Sequence, residues 1–275
     1  MQGILYLCAT PIGNLEDMTF RAIRILREVN LIAAEDTRRT RKLLTHFEIH
    51  TPLIRFDENC KEKVAEKILE RLQAGESVAV VSDAGLPAIS DPGADLVKLA
   101  IDNDIKVCPI PGANAALSAL ICSGLDTKKF LFAGFPPKTK KNRREFLQKL
   151  STVEETVIFY EAPHRLKNFL EELSEVFGER QTVLARELTK VHEEFLRGKI
   201  SELIEKISEP RGEFVILIEG QKISEVIEVP EENISEVVEK FLARGLDKKS
   251  AMRETAKRFN VSRREIYNAL IKEQK

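Results

Sequence analysis

Long apolar stretches are missing from this sequence of 275 residues. The longest runs, such as Val78–Val81 and Phe214–Ile218, are far too short to cross a bilayer. Met1–Cys8 lacks the basic start of a secretory signal, so the expectation is a cytoplasmic protein with no membrane partner. Cysteine is sparse as well: Cys8, Cys60, Cys108 and Cys122 are widely spaced with no CxxC pair, which favours reduced, partly buried thiols over disulfides or zinc. His46 and His50 stand four apart, but Pro52 follows at once and no glutamate base is placed as in HExxH, so no metal is expected. Neither GxGxxG nor GxxxxGK[ST] occurs, which disfavours a dinucleotide site or a P-loop.

What is present is ordinary globular material. Hydrophobic residues make up 43% and charged ones 32%, enough apolar side chains to build cores and too many for a disordered chain. A length beyond that of one usual core points to two domains and an appendage. The net charge of −1 hides an uneven spread. From Arg244 to Lys275 there are ten basic residues against four acidic ones, a local excess of +6 on an otherwise acidic chain. Shorter basic clusters occur at Arg38, Arg39, Arg41 and Lys42, and at Lys138, Lys140, Lys141, Arg143 and Arg144. Each alone reads as a solvated face; the three together suggest a polyanion.

Apolar periodicity alternates short strands with amphipathic helices. Strands are predicted at Ile4–Ala9, Leu31–Ala34, Val78–Val81 and Val107–Ile110, with helices at Thr19–Val29, along the Val64–Leu72 stripe, and at Ala94–Ile101 and Ala113–Cys122. Such alternation implies a mostly parallel sheet covered by helices, here assigned to residues 1–122. Ser123–Asp126 reads as a hinge into a second α/β unit over residues 123–222, with strands near Phe130–Ala133, Thr156–Tyr160, Thr182–Ala185 and Phe214–Ile218. A ligand crevice is expected between the two. Residues 232–275 are predicted to be helical only. Helices from about Glu232 to Ala243 and Lys248 to Phe259 precede a turn at Asn260, and Ser262 with Glu265 opens a last helix bearing Arg263 and Arg264. The pattern reads either as a helix-turn-helix or as a helical lid or dimer element with exposed charges.

Three strands end in glycine-punctuated loops: Ala9–Asn14, Ser82–Gly93 and Pro111–Ala115. Glycine lets backbone approach a ligand and proline removes competing donors, so the loops read as parts of a small-molecule site, or singly as turns. After Leu31–Ala34 come the adjacent carboxylates Glu35 and Asp36 and then arginines, a reading shared with a helix cap that pairs its charges.

Leu5–Leu15, Ala34–Arg38, Ser82–Gly85, Pro111–Ala113, Phe159–Arg165, Arg186–Lys190 and Gly212–Val215, in that order, resemble the bacterial ribosomal small-subunit RNA cytidine 2′-O-methyltransferase I family of the tetrapyrrole methylase superfamily. The resemblance covers about residues 3–220, and the tail also looks like that family's small helical domain. It implies an α/β, two-domain tetrapyrrole-methylase-like fold, S-adenosylmethionine in the cleft, small-subunit ribosomal RNA as substrate and a homodimer. Carried over by motif, Pro11, Asp83, Gly85, Pro87, Ala88, Ile89, Ser90 and Gly112 would lie near the cofactor from the first domain, and Phe132, Tyr160, Glu161, Ala162 and Phe214 from the second. A ribose hydroxyl is a weak nucleophile, so Glu35 or Asp36 is the expected base or ribose anchor. Arg38, Arg39, Arg41, Lys42, Lys140, Lys141, Arg143, Arg165, Arg263 and Arg264 are the expected RNA contacts. A tetrapyrrole or other small-substrate methylase, and a ligand-sensing nucleic-acid-binding regulator, are the alternatives.

Overall fold

The structure is a computed structural model that describes residues 2–58, 60–89, 93–207, 212–222, 234–259, 261, 265–267 and 270. Met1–Gln221 forms one compact unit and Lys222–Lys275 another.

The first half of the larger unit holds strands β1 (Ile4–Cys8), β2 (Leu31–Ala34), β3 (Leu53–Arg55), β4 (Val78–Val81) and β5 (Lys106–Ile110). They form a wholly parallel sheet in the order β3-β2-β4-β1-β5. Helices α1 (Phe20–Glu28), α2 (Thr37–His46), α3 (Lys61–Gln73), α4 (Ala94–Asp102) and α5 (Ala115–Ile121) make the connections. β2 and β4 are buried along their whole length because helices cover both faces, which is why they read as unbroken apolar runs. Separate clusters fill the two sides: Ala22, Leu26, Ile32 and Ala79 on one, Leu5, Ile68, Leu72 and Leu96 on the other. Thr19 caps α1 by accepting from the Ala22 N–H at 3.1 Å, as its residue type suggests. Burial pushes the Cys8 thiol up to about 12, so this cysteine is an inert core residue.

The second sheet runs β6 (Phe130–Gly134), β7 (Thr156–Glu161), β10 (Phe214–Ile218), β8 (Gln181–Arg186) and β9 (Glu194–Lys199) across its width. Only β6 and β7 are parallel; the other three pairings are antiparallel. Helices α6 (Lys140–Leu150), α7 (Pro163–Phe177) and α8 (Ile200–Lys206) cover one face over Phe159, Phe169, Leu173 and Ile216. α5 from the first half lies on the other, where Ala116, Ala119 and Leu120 meet Ile158, Val183 and Val215. The two sheets therefore share a core through α5. Sequence patterning leaves β3 and β9 unmarked. β3 is three residues long, and β9 is a half-buried edge strand whose Glu194 and Arg197 break any apolar run.

In the smaller unit, α9 (Ile234–Ala243) packs on α10 (Lys248–Arg258) through Val238, Ala251, Met252 and Ala256. Asp247 caps α10, accepting from the Lys249 and Ser250 N–H groups. The turn at Asn260, the Ser262 cap, Arg263 and Arg264 lie outside the described residues. No helix among the described residues is long and apolar enough to cross a membrane.

Candidate active site

A cavity of about 490 Å³ opens where loops from both sheets converge. The first sheet contributes Pro11 and Gly13 after β1, and Asp83, Gly85 and Ile89 after β4. Cross-bonding fixes these loops to each other. Thr10 and Gly85 exchange backbone hydrogen bonds at 2.8 and 3.0 Å, and the Thr10 hydroxyl donates to the Ser82 carbonyl at 3.1 Å. The second sheet contributes Tyr160 and Phe214, with Glu187, Leu188 and Lys190 from the segment after β8. Tyr160 bridges the halves: its hydroxyl oxygen accepts from the Ala116 N–H at 3.1 Å.

Two glycines let the walls come this close. A Cβ on Gly13 would lie 2.8 Å from both the Leu188 carbonyl oxygen and Thr189 Oγ1. At Gly212 the backbone has φ +73°, and a Cβ would fall on the Glu187 carboxylate. Opposite them, Glu187 and Thr189 hold φ +52° and +66°, a left-handed conformation costing non-glycine residues roughly 1–3 kcal/mol each. Thr189 Oγ1 is also buried without a hydrogen-bond partner. Strain and an orphaned hydroxyl are thus concentrated in one short segment.

These residues fit the methyl donor implied by the sequence resemblance. The volume suits a ligand of that size. Pro11, Ile12, Leu86, Leu188 and Phe214 offer apolar surface, while Asp83, Glu187 and Glu213 offer carboxylates to a sulfonium and an amino group.

A second, polar pocket of about 570 Å³ adjoins through Asp83, which lines both. Here Glu35 and Asp36 separate into different roles. Asp36 is the N-cap of α2: its carboxylate accepts from the Arg38 N–H at 2.8 Å, and its own N–H donates to Asp83 Oδ1 at 3.0 Å. Glu35 caps nothing. Burial, and next the nearby charge of Asp83, raise its carboxyl above the usual carboxylate value. Arg38 lines this pocket with Arg55, and Arg39 stands 3.3 Å from Asp83. Lys42, one turn beyond Arg38, borders a groove that also contains Pro11 and Gly13, whereas Arg41 is simply exposed.

Of the cofactor contacts expected from sequence, Pro11, Asp83, Gly85, Ile89, Tyr160 and Phe214 line the cavity. Pro87 and Ala88 do not; they shape the loop, with Ala88 at φ +68° packed against Gly93. Gly112 serves packing between strand ends, since a Cβ there would lie 2.7 Å from Ala9 Cβ. Phe132 sits behind Tyr160, ring centroids 5.0 Å apart. Glu161 and Ala162 border a different cleft: alternate residues of β7 face opposite sides of the sheet, so Glu161 points away from Tyr160's cavity, and Ala162 follows the strand as the N-cap of α7. Ser90 lies outside the described residues. Lys140 and Lys141 are exposed on α6, but Arg143 and Arg165 are not available to a phosphate in the way expected. Arg143 forks onto Glu172, and Arg165 pairs with Glu161 and donates to two proline carbonyls. Sequence reasoning placed Glu187–Lys190 and Gly212–Glu213 only among the motifs that carry the resemblance. A glycine two residues ahead of the all-apolar β10 was the available signal for that wall.

The model of the tetrapyrrole (corrin/porphyrin) methylases matches residues 4–204. The chain is 50% identical to the ribosomal RNA small subunit methyltransferase I of Halalkalibacterium halodurans, over 97% of this chain and 94% of the relative. It is likewise 50% identical to the protein of that name from Bacillus subtilis strain 168, with the same coverage. Among solved structures, uroporphyrin-III C-methyl transferase from Thermus thermophilus, complexed with S-adenyl homocysteine, superposes with a TM-score of 0.56 at 18% identity, covering 80% of this chain and 98% of that one.

Proposed function

The chain belongs to the ribosomal RNA small subunit methyltransferase I family of tetrapyrrole methylases, and we propose that it methylates the 2′-hydroxyl of a cytidine in small-subunit ribosomal RNA. The observation that carries the reading is the shared wall at Asp83. It sets a polar pocket holding Glu35 and arginines directly beside the glycine-built cavity.

S-adenosylmethionine, the methyl donor of this family, supplies an electrophilic methyl group when bound. Asp83, Tyr160, Phe214 and the backbone around Gly13 and Gly85 would hold it. The chain's own contribution is alignment, exclusion of water and proton removal. Glu35 is the group to take the 2′-hydroxyl proton, since a carboxylate made more basic by burial is the better acceptor. Asp36 fixes the start of α2 and thereby aims Arg38 and Arg39, which would hold the flanking phosphates. Lys42, Lys140, Lys141 and the basic tail add long-range attraction. We further propose a homodimer working in the cytoplasm, with exposed Phe20 and Val191 as apolar surface to bury, a state that sedimentation equilibrium reads directly.

The test is label transfer from S-adenosylmethionine to naked ribosomal RNA, small-subunit particles or a tetrapyrrole precursor. Label is expected in RNA, at a nucleotide whose 3′ linkage resists alkali because its 2′-oxygen is blocked. Label in the tetrapyrrole, or donor binding with no transfer, would refute the reading.

A further inference from the structure

A separate cleft of about 630 Å³ lies at the C-terminal end of β7, on the sheet face opposite Tyr160's cavity. Fully buried Glu161 and Phe169 form its floor, and exposed Phe135, Lys138 and His164 stand at its rim. Phe135 joins it to the methyl-donor cavity: its ring packs edge-on against Tyr160 with centroids 5.5 Å apart, yet remains 47% exposed.

The loop that carries Phe135 is braced in an unusual way. Pro136 and Pro137 have no N–H, so the segment can be held only by its carbonyls. Arg165 donates to those of Pro136 at 3.1 Å and Pro137 at 3.4 Å, and Arg143 to those of Pro137 at 3.2 Å and Lys138 at 3.0 Å. Each arginine is neutralised by a carboxylate, Arg143 by Glu172 and Arg165 by Glu161 at 3.3 Å. Lys138 has no ion pair among the described residues and keeps its charge for a partner. An exposed ring and an unpaired cation on a braced loop are the two elements that single-stranded RNA recognition uses, one for a base and one for a phosphate.

We propose that this cleft takes a nucleotide of the RNA strand next to the methylated one, its base stacked on Phe135 and its phosphate held by Lys138. The proposal rests on the RNA methyltransferase reading above. It accounts for an exposed phenylalanine kept beside the reaction cavity and for two arginines spent on proline carbonyls.

The experiment uses the full chain with Phe135→Leu, which keeps an apolar neighbour for Tyr160 without the aromatic face, and Lys138→Ala, which removes charge from an exposed side chain. Binding to unmethylated small-subunit ribosomal RNA is measured across a salt series, and S-adenosylmethionine binding by calorimetry. Phe135→Leu should weaken RNA binding about tenfold with donor affinity unchanged. Lys138→Ala should flatten the slope of log affinity against log salt by about 0.7. Unchanged RNA affinity and salt slope in both variants, while the wild type methylates RNA, would overturn the cleft alone. So would lost donor affinity in Phe135→Leu with a normal slope in Lys138→Ala, because Phe135 would then serve only Tyr160. A wild type that labels no ribosomal RNA overturns the proposed function, and this cleft with it.

Discussion

Arg143 should matter for stability and hardly at all for the salt dependence of RNA binding, although it sits in a basic cluster. Its Nε and Nη2 donate to the two Glu172 carboxylate oxygens at 2.6 Å each, and Nη1 reaches the Pro137 and Lys138 carbonyls. Side-chain exposures are 12% for Arg143 and 15% for Glu172, so removing one partner strands the other charge largely away from water. Breaking a buried pair costs about 3–5 kcal/mol, and the remaining edge of solvent contact places this one near about 3 kcal/mol. For a unit of this size each kcal/mol moves the melting temperature by about 2–4 °C, so Arg143→Ala should melt about 6–12 °C below wild type. A double-mutant cycle with Glu172→Gln should return a coupling of about 2 kcal/mol.

The pair also carries a pH signature with a definite sign. Hydrogen bonding to Arg143 holds the Glu172 carboxyl below its ordinary 4.5 in the folded state. A carboxyl depressed on folding contributes stability above its unfolded value and loses it as pH falls through the folded one. The gap in melting temperature between wild type and Arg143→Ala should therefore be full near neutrality and close progressively below 4.5. Thermal unfolding followed by circular dichroism at both ends of that range decides the matter. A variant within about 2 °C of wild type at neutrality, or a gap undiminished in acid, would refute the reasoning.

Glu35→Gln should lower kcat by about 10²- to 10⁴-fold with S-adenosylmethionine affinity unchanged, and full activity would sink its role as base. Because the Glu35 carboxyl is raised above 4.5, wild-type rate should climb with pH through that raised value as the base loses its proton, and the variant should lack this limb. The same shift means that ionised Glu35 costs stability above its folded value, so Glu35→Gln should melt higher than wild type at neutrality. Asp36→Asn should instead cost little more than a weakened cap, about 1 kcal/mol or less. Gly212→Ala, forced to φ +73° with its Cβ on the Glu187 carboxylate, should lose donor affinity in calorimetry and more than about 1 kcal/mol of stability; an unperturbed variant would show that this wall is not tight.

Much of the architecture was legible in the sequence because its signals are local. Ile4–Cys8, Leu31–Ala34 and Val78–Val81 announce themselves as apolar strands, the last two buried along their whole length, and Thr19 stands where a cap is needed. The glycine-bearing loops at Gly13 and Gly85 were likewise readable as backbone-lined turns at strand ends, and the ordered motifs were enough to suggest the family. Strand β9 was not readable, since an edge strand with one half-buried face has no need of an apolar run.

What only the tertiary structure decided is which charges are free and which face each side chain takes. Glu35 and Asp36 are adjacent carboxylates in the sequence, but the start of α2 consumes one, while burial, and next the charge of Asp83, makes the other more basic. Tyr160 and Glu161 are adjacent in one motif, but the pleat of β7 sends them to different clefts. Arg143 and Lys138 share one basic cluster, but Glu172, twenty-nine residues from Arg143, neutralises the arginine alone. Composition and order set which groups exist; long-range pairing and strand alternation set which of them can meet a ligand.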